Sequence, residues 1–163
     1  MKIGTTTMGV SAFVDTNVLL RSIHVNAPLH QESSVLTAQM RQDGYTLWIS
    51  RQVLREYLVQ VMRPGILRQP LTVKQVKARL KTMRLVFIIA DDTDAVTEKL
   101  IELLEKFPSG GKQIHDVNIV ATMLVNQIDT LLTLNLAHME RFGSEIKIIA
   151  PSMPLQNGNH ENP

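Results

Sequence analysis

Five short apolar runs separated by helix-length segments constrain this 163-residue chain more than any other feature. The runs are Ala12-Phe13-Val14, Thr46-Leu47-Trp48-Ile49, Val86-Phe87-Ile88-Ile89, Leu131-Leu132-Thr133 and Ile146-Lys147-Ile148-Ile149. Each is too short for a helix and suits a buried strand. Helical apolar spacing fills the gaps. It runs from Asn17 to His24, resumes after Pro28 to about Gln42, and returns from Arg51 to Met62. Thr72 and Thr93 are N-cap residues for two further helices, reaching about Arg84 and about Phe107. A last long helix spans Ile114 to Gln127, and a short helical segment precedes the final run. Strands joined in this way pair side by side rather than as hairpins. The pattern predicts an α/β domain with a mostly parallel sheet of four to five strands, covered on both faces.

Hydrophobic residues make up 44% of the chain and charged residues 20%, the balance of a packed globular protein. Its length suits one domain burying roughly two-thirds of its unfolded surface. Residues 1–10 read as a flexible lead-in, 11–150 as the domain, and 151–163 as a Pro- and Asn-rich tail expected to be disordered. The absence of cysteine excludes disulfides, thiolate metal sites and a Cys nucleophile, and fits a reducing cytoplasm. No apolar run approaches the roughly 20 residues needed to span a bilayer, and no secretory signal is evident. A formal charge of +2 leaves room for a local basic patch without requiring one.

Four polar positions carry the chemical interest: Asp15, Glu56, Asp116 and Asn135. Ligands in an open parallel sheet bind outside the carboxyl ends of the strands. Asp15 directly follows Phe13-Val14, and Asn135 comes just after Leu131 to Thr133, which puts both on that edge. Helix capping explains Asp15 equally well, because Asp-Thr-Asn is good helix-start chemistry. Asp116 opens the last long helix, where the helix dipole alone favours an acid. It falls roughly 110° from the centre of that helix's apolar stripe, at a flank suited to rim a crevice. Glu56 lies roughly 140° from the centre of a stripe formed by Val53, Leu54, Tyr57, Leu58, Val61 and Met62, so its spacing favours a solvated face. Carboxylates gathered at one sheet edge repel one another by about 4 kcal/mol per close contact at an effective dielectric near 20. A hard divalent cation offsets that repulsion with oxygen ligands and retained waters. The pattern points to metal-dependent phosphodiester chemistry.

His115 and His138 flank two of these positions, but no His-x₃-His or His-Glu-x-x-His pair is present, and zinc is not expected. Lys112, Arg51, Arg55 and Arg141 are candidates for phosphate contacts near the same edge, against ordinary solvent exposure for any one of them.

The order and surroundings of these residues resemble the PIN-domain ribonucleases, especially the VapC-like toxins of bacterial type II toxin–antitoxin pairs. The matching stretches are FVDTNVLL around Asp15, SRQVLREYLVQVMRPG around Glu56, KQIHDVNIVATML around Asp116 and TLLTLNLAHMERF around Asn135. The resemblance implies a three-layer α/β/α PIN-like fold and an acidic pocket that binds Mg²⁺ or Mn²⁺. It implies endoribonuclease activity on single-stranded or structured RNA through a metal-activated water. On this reading Asp15 and Asp116 are the principal metal ligands and Glu56 completes the cluster, directly or through water. Asn135 stands where many members carry Asp, keeping one carbonyl oxygen but removing a charge. Thr16 and Thr133 are expected to orient the carboxylates by hydrogen bonding.

A homodimer and a cognate antitoxin, presenting a basic side chain to the carboxylates, follow from the same resemblance. Apolar residues on the first helix and between Leu71 and Met83 are the surfaces expected for both. One rival reading is a non-catalytic PIN-like module that binds RNA or protein, which the loss of a carboxylate at Asn135 makes reasonable. A small-molecule phosphohydrolase of the haloacid-dehalogenase kind would want a second Asp two residues after Asp15, where Asn17 stands.

Overall fold

The computed structural model describes residues 9–151. The expected lead-in and tail therefore lie outside the described residues, save Gly9, Val10 and Pro151. Five strands and seven helices alternate within that span. β1 (Ser11–Val14) leads through α1 (Thr16–Ile23) and α2 (His30–Gln42) to β2 (Thr46–Ser50). α3 (Arg51–Val61) and α4 (Val73–Val86) then lead to β3 (Ile88–Ala90), and α5 (Asp94–Lys106) and α6 (Gln113–Val125) to β4 (Thr130–Leu132). α7 (Leu136–Met139) and a 3₁₀ turn (Glu140–Phe142) precede β5 (Lys147–Ile149).

The strand order is β3-β2-β1-β4-β5, and every pairing is parallel. The chain travels outward from β1 to β3, then crosses back over the sheet to β4. Right-handed crossovers assign α1 to α4 to one face and α5 to α7 to the other. Packing agrees: α1 lies against α2 and α3, while α6 lies against α5 and α7. The result is a three-layer α/β/α domain with β1 at its centre.

Local chemistry sets the boundaries. Thr72 and Gln75 form a reciprocal capping box at the start of α4, and the Thr93 hydroxyl accepts from Val96 N–H at the start of α5. Ser50 ends β2 and caps α3 by accepting from Val53 N–H at 3.2 Å. The run at Val86-Phe87 belongs to the end of α4 and its C-cap rather than to a strand, and β3 starts two residues later than its composition suggests. Val76, Leu80, Met83 and Phe87 recur at helical spacing, so the helix seam claims Phe87 for the core.

Core packing centres on side chains that are fully enclosed: Phe13, Leu131 and Leu132 from the sheet, Tyr57 from α3, Met123 from α6 and Phe142 from the 3₁₀ turn. Phe107 meets Phe142 edge to face with centroids 5.0 Å apart. α6 is buried nearly all round, with Val117, Ile119, Val120, Ala121, Thr122 and Met123 all enclosed. The expectation of exposed apolar residues on the first helix is not met, since Val18, Leu19 and Leu20 all point into the core. Between Leu71 and Met83 only Val73 is an exposed large apolar residue, because Val76 and Met83 pack inward.

Candidate active site

At the carboxyl end of the sheet a cleft of about 770 Å³ opens between α1, α3 and α6. Asp15, Glu56, Asp116 and Asn135 all line it, although they come from four separate parts of the chain. The parallel sheet is the reason: β1 and β4 are adjacent, so the segments leaving them emerge side by side.

Asp15 occupies the junction of β1 and α1. Its backbone N–H donates to Leu132 O at 3.0 Å, prolonging the pairing with β4. One carboxylate oxygen, Oδ1, accepts from Thr16 N–H at 2.6 Å, so Asp15 is the helix cap that its sequence context allows. The other, Oδ2, accepts from Asn17 Nδ2 at 2.8 Å and from the Thr133 hydroxyl at 2.7 Å. Capping and a place in the cleft are therefore compatible. Burial is nearly complete, and desolvation pushes the carboxyl up to about 6 despite these three hydrogen bonds, with the Glu56 charge adding to the rise.

Asn17 and Thr133 latch the two loops together. Leu134 N–H donates to Asn17 Oδ1 at 2.9 Å, and Asn135 N–H donates to Thr133 Oγ1 at 3.0 Å. These bonds fix the position of Asn135, whose side chain makes no capping bond to α7.

Glu56 does not sit on a solvated face. It is partly buried, with Oε2 accepting from the Thr16 hydroxyl at 2.5 Å and Oε1 accepting from Gln52 Nε2 at 2.8 Å. Gln52, buried to 4% exposure, also donates to His115 O at 3.0 Å and accepts from Asn118 Nδ2 at 2.7 Å. This polar bridge joins α3 to α6 across the cleft floor. Gln52 and Asn118 escaped the sequence reading, and Asn17 entered it as helix-start chemistry rather than as a partner of Asp15. The signals available for Gln52 and Asn118 were the four-residue spacing of Gln52 and Glu56, and an Asn within an otherwise apolar helix.

Asp116, in the first turn of α6, has a side chain only 15% exposed. Burial raises its pKa above the usual carboxylate range, and the Glu56 charge acts in the same direction. His138 and Arg141 oppose the rise, with His138 Nδ1 3.4 Å from Asp116 Oδ2. His115 is exposed, lines the cleft, and accepts from Gln52 through its carbonyl.

Of the four basic residues expected near the site, Lys112 and Arg55 line the cleft, although Arg55 also pairs with Asp92 at 3.0 Å. Arg51 is held by Asp91 at 2.7 Å. Arg141 stacks over the Phe142 ring at 4.5 Å and donates to Ser109 Oγ at 2.8 Å, so it braces the loop before α6. Arg21, not anticipated, lines the cleft as well.

Among the described residues, no three His, Asp or Glu side chains stand close enough to ligate one ion together. The carboxylates surround the cleft rather than closing into a cage. The donor set is nevertheless oxygen-rich and free of thiolate; Asp15 is a buried carboxylate with no cation beside it, while the Asp116 charge is partly met by His138 and Arg141. These residues fit a hard divalent ion that keeps part of its water shell.

No family model matches the sequence, and no curated protein matches it. Solved structures do. VapBC2 from Rickettsia felis, bound to a DNA fragment from its promoter, matches with a TM-score of 0.61 at 20% identity, covering 86% of this chain and 98% of that one. VapBC from Salmonella typhimurium, also bound to DNA, gives 0.58 at 20% identity, covering 88% and 99%. VapC20 from Mycobacterium tuberculosis, described as a sarcin–ricin loop cleaving toxin, gives 0.54 at 17% identity, covering 74% and 86%. The chain has the PIN-like fold of these proteins.

Proposed function

We propose that this chain is an Mg²⁺- or Mn²⁺-dependent endoribonuclease and the toxin of a toxin–antitoxin pair. The observation that carries the reading is the shared cleft: Asp15, Glu56, Asp116 and Asn135 converge there from four segments. The toxin structures that share the fold support it.

The chain's own residues do three things on this reading. Thr16, Asn17 and Thr133 hold the Asp15 carboxylate in one orientation, so no reorganisation is needed when substrate arrives. Gln52 and Thr16 fix Glu56 through one bond to each oxygen, leaving lone pairs to accept a hydrogen bond from an attacking water. Arg55 and Lys112 contact the phosphate backbone at the cleft wall. Asp15 and Asp116 would hold the cation, with Glu56 acting directly or through water. When bound, such an ion draws charge from a phosphoryl oxygen and lowers the pKa of water. No side-chain nucleophile is required.

A homodimer and a cognate antitoxin complete the reading. Val59 and Ile66, exposed and lining the cleft, offer apolar contact to an antitoxin segment whose basic side chain meets the carboxylates.

The test compares wild type with Asp116→Asn on a mixed RNA pool in Mg²⁺, in Mn²⁺ and in EDTA. Metal-dependent cleavage that disappears in a folded Asp116→Asn protein is the expected result. Unchanged cleavage by that variant refutes the assignment. A folded wild type that cleaves under no condition supports the non-catalytic module instead, and makes Asn135→Asp the next variant.

A further inference from the structure

A second pocket of about 330 Å³ adjoins the acidic cleft and shares Leu20, Arg21, Gln60 and Ile66 with it. Its chemistry is opposite. Two arginines, Arg21 and Arg63, line it, and no acid does. Neither arginine forms an ion pair among the described residues, unlike Arg51 and Arg55, which pair with Asp91 and Asp92. Arg21 is held in place: its Nη1 donates to Asn17 O at 3.2 Å, and its carbonyl engages His30 Nδ1 at 2.7 Å. Yet its Nε is buried without any hydrogen-bond partner. That Nε is too enclosed to meet a ligand, so contact with one in the pocket falls to the Nη groups of this partly exposed side chain. Arg63 is steadied by Nη2 donating to Gln60 Oε1 at 2.9 Å.

Guanidinium groups offer a planar fork that suits phosphate oxygens. A strand crossing three carboxylates is repelled by them, so its affinity has to come from cations beyond the acidic floor. We propose that this pocket is a phosphate subsite, in which Arg21 and Arg63 bind a backbone phosphate of the RNA strand flanking the scissile linkage. Leu20, Ala27 and Ile66 offer the neighbouring ribose an apolar wall. The subsite rests on the ribonuclease reading for its substrate, but it concerns binding rather than cleavage and can be tested without a metal.

The probe is a fluorescein-labelled single-stranded RNA of about 12 nucleotides, a length suited to a single groove. Its anisotropy is titrated in EDTA with wild type and with Arg21→Gln, Arg63→Gln and the double variant, across a series of salt concentrations. Arg41→Gln, an exposed arginine on α2 outside both pockets, is the control. Removing both guanidinium groups is expected to weaken binding on the order of tenfold. The slope of log affinity against log salt should fall by about 0.7 for each phosphate that is no longer neutralised. Arg21→Lys restores the slope, which a packing defect would not do. Because Arg63 is exposed, its variant keeps the proposal testable even where Arg21→Gln folds poorly.

Unchanged affinity and slope in the double variant, with wild type binding, overturn the subsite and leave the ribonuclease reading standing. Weaker binding by the variants, when wild type binds RNA yet cleaves none with Mg²⁺ or Mn²⁺, supports the subsite and removes the catalytic reading. A wild type that binds no RNA in EDTA overturns the subsite, and the cleavage comparison with Mg²⁺ and Mn²⁺ then decides the ribonuclease reading by itself.

Discussion

Replacing Asp15 by Asn should make the metal-free protein more stable, not less. The folded chain holds the Asp15 carboxyl up to about 6, against 3.8 for an ordinary Asp, because burial strips water from the charge. A carboxyl with a raised folded pKa binds its proton more tightly in the native state. Stability therefore falls as pH climbs from about 4 to about 6, and the loss is complete above that window. At 1.36 kcal/mol per pH unit, holding the charge at about pH 7.5 costs about 3 kcal/mol. Asparagine removes this cost. It also replaces Oδ2 with a donor, which faces Asn17 Nδ2 and leaves Thr133 to reverse its hydroxyl. One lost or reversed bond takes back about 1 kcal/mol. The net gain is about 1–2 kcal/mol, or roughly 2–8 °C in melting temperature for a domain of this size. Urea and thermal unfolding in EDTA, run from about pH 4 to about pH 8, measure it. The advantage of Asp15→Asn should shrink toward the acid end and turn into a small deficit near pH 4, where the roughly 1 kcal/mol of lost hydrogen bonding remains. A variant that is less stable at neutral pH, or an advantage that does not change with pH, refutes the reasoning.

Three further outcomes follow from the same geometry. Asn135→Asp adds a carboxylate to the cleft and should tighten Mn²⁺ binding about tenfold by calorimetric titration, while lowering stability in EDTA. An unchanged affinity would remove Asn135 from the site. Gln52→Ala strands Asn118 Nδ2 and His115 O and releases Glu56, at about 2–3 kcal/mol in urea unfolding; a cost below about 0.5 kcal/mol would mean that water replaces the bridge. Phe142→Ala empties the ring site between Phe107 and Arg141 and should cost about 3–5 kcal/mol by the same assay.

The strands were readable because each apolar run is bounded by polar or turn-forming residues. Most strand edges shift by one residue at most; the edge misjudged by two, at Val86-Phe87, is a place where helical and strand spacing both fit the same residues. Asp15 was legible for a similar reason, since an acid straight after a buried strand has only the sheet edge to occupy. Glu56 was not. Its helix has two contact faces: Val53, Tyr57 and Val61 meet the core, while Gln52 and Glu56 meet α1 and α6 through hydrogen bonds. Hydrophobic periodicity counts a polar contact between helices as solvent, and it counted Met62 as core although that side chain is 43% exposed. Asn118 was hidden for the converse reason, because α6 is buried nearly all round and its apolar stripe has no clear polar edge.

The bond between the Thr133 hydroxyl and Asp15 spans 118 positions of the chain. A ribosome releases residues in order, so the first carboxylate emerges long before the loop that orients it. β4 inserts beside β1 only after α5 and α6 have been made, and the wall carrying Asp116 arrives with them. Partly synthesised chains, and any fragment ending before about residue 130, should hold Asp15 and Glu56 without a complete cleft. For a nuclease of the proposed kind, whose substrate surrounds it during its own synthesis, this order of assembly acts as a safety catch, keeping the nascent polypeptide inert until its last third has docked.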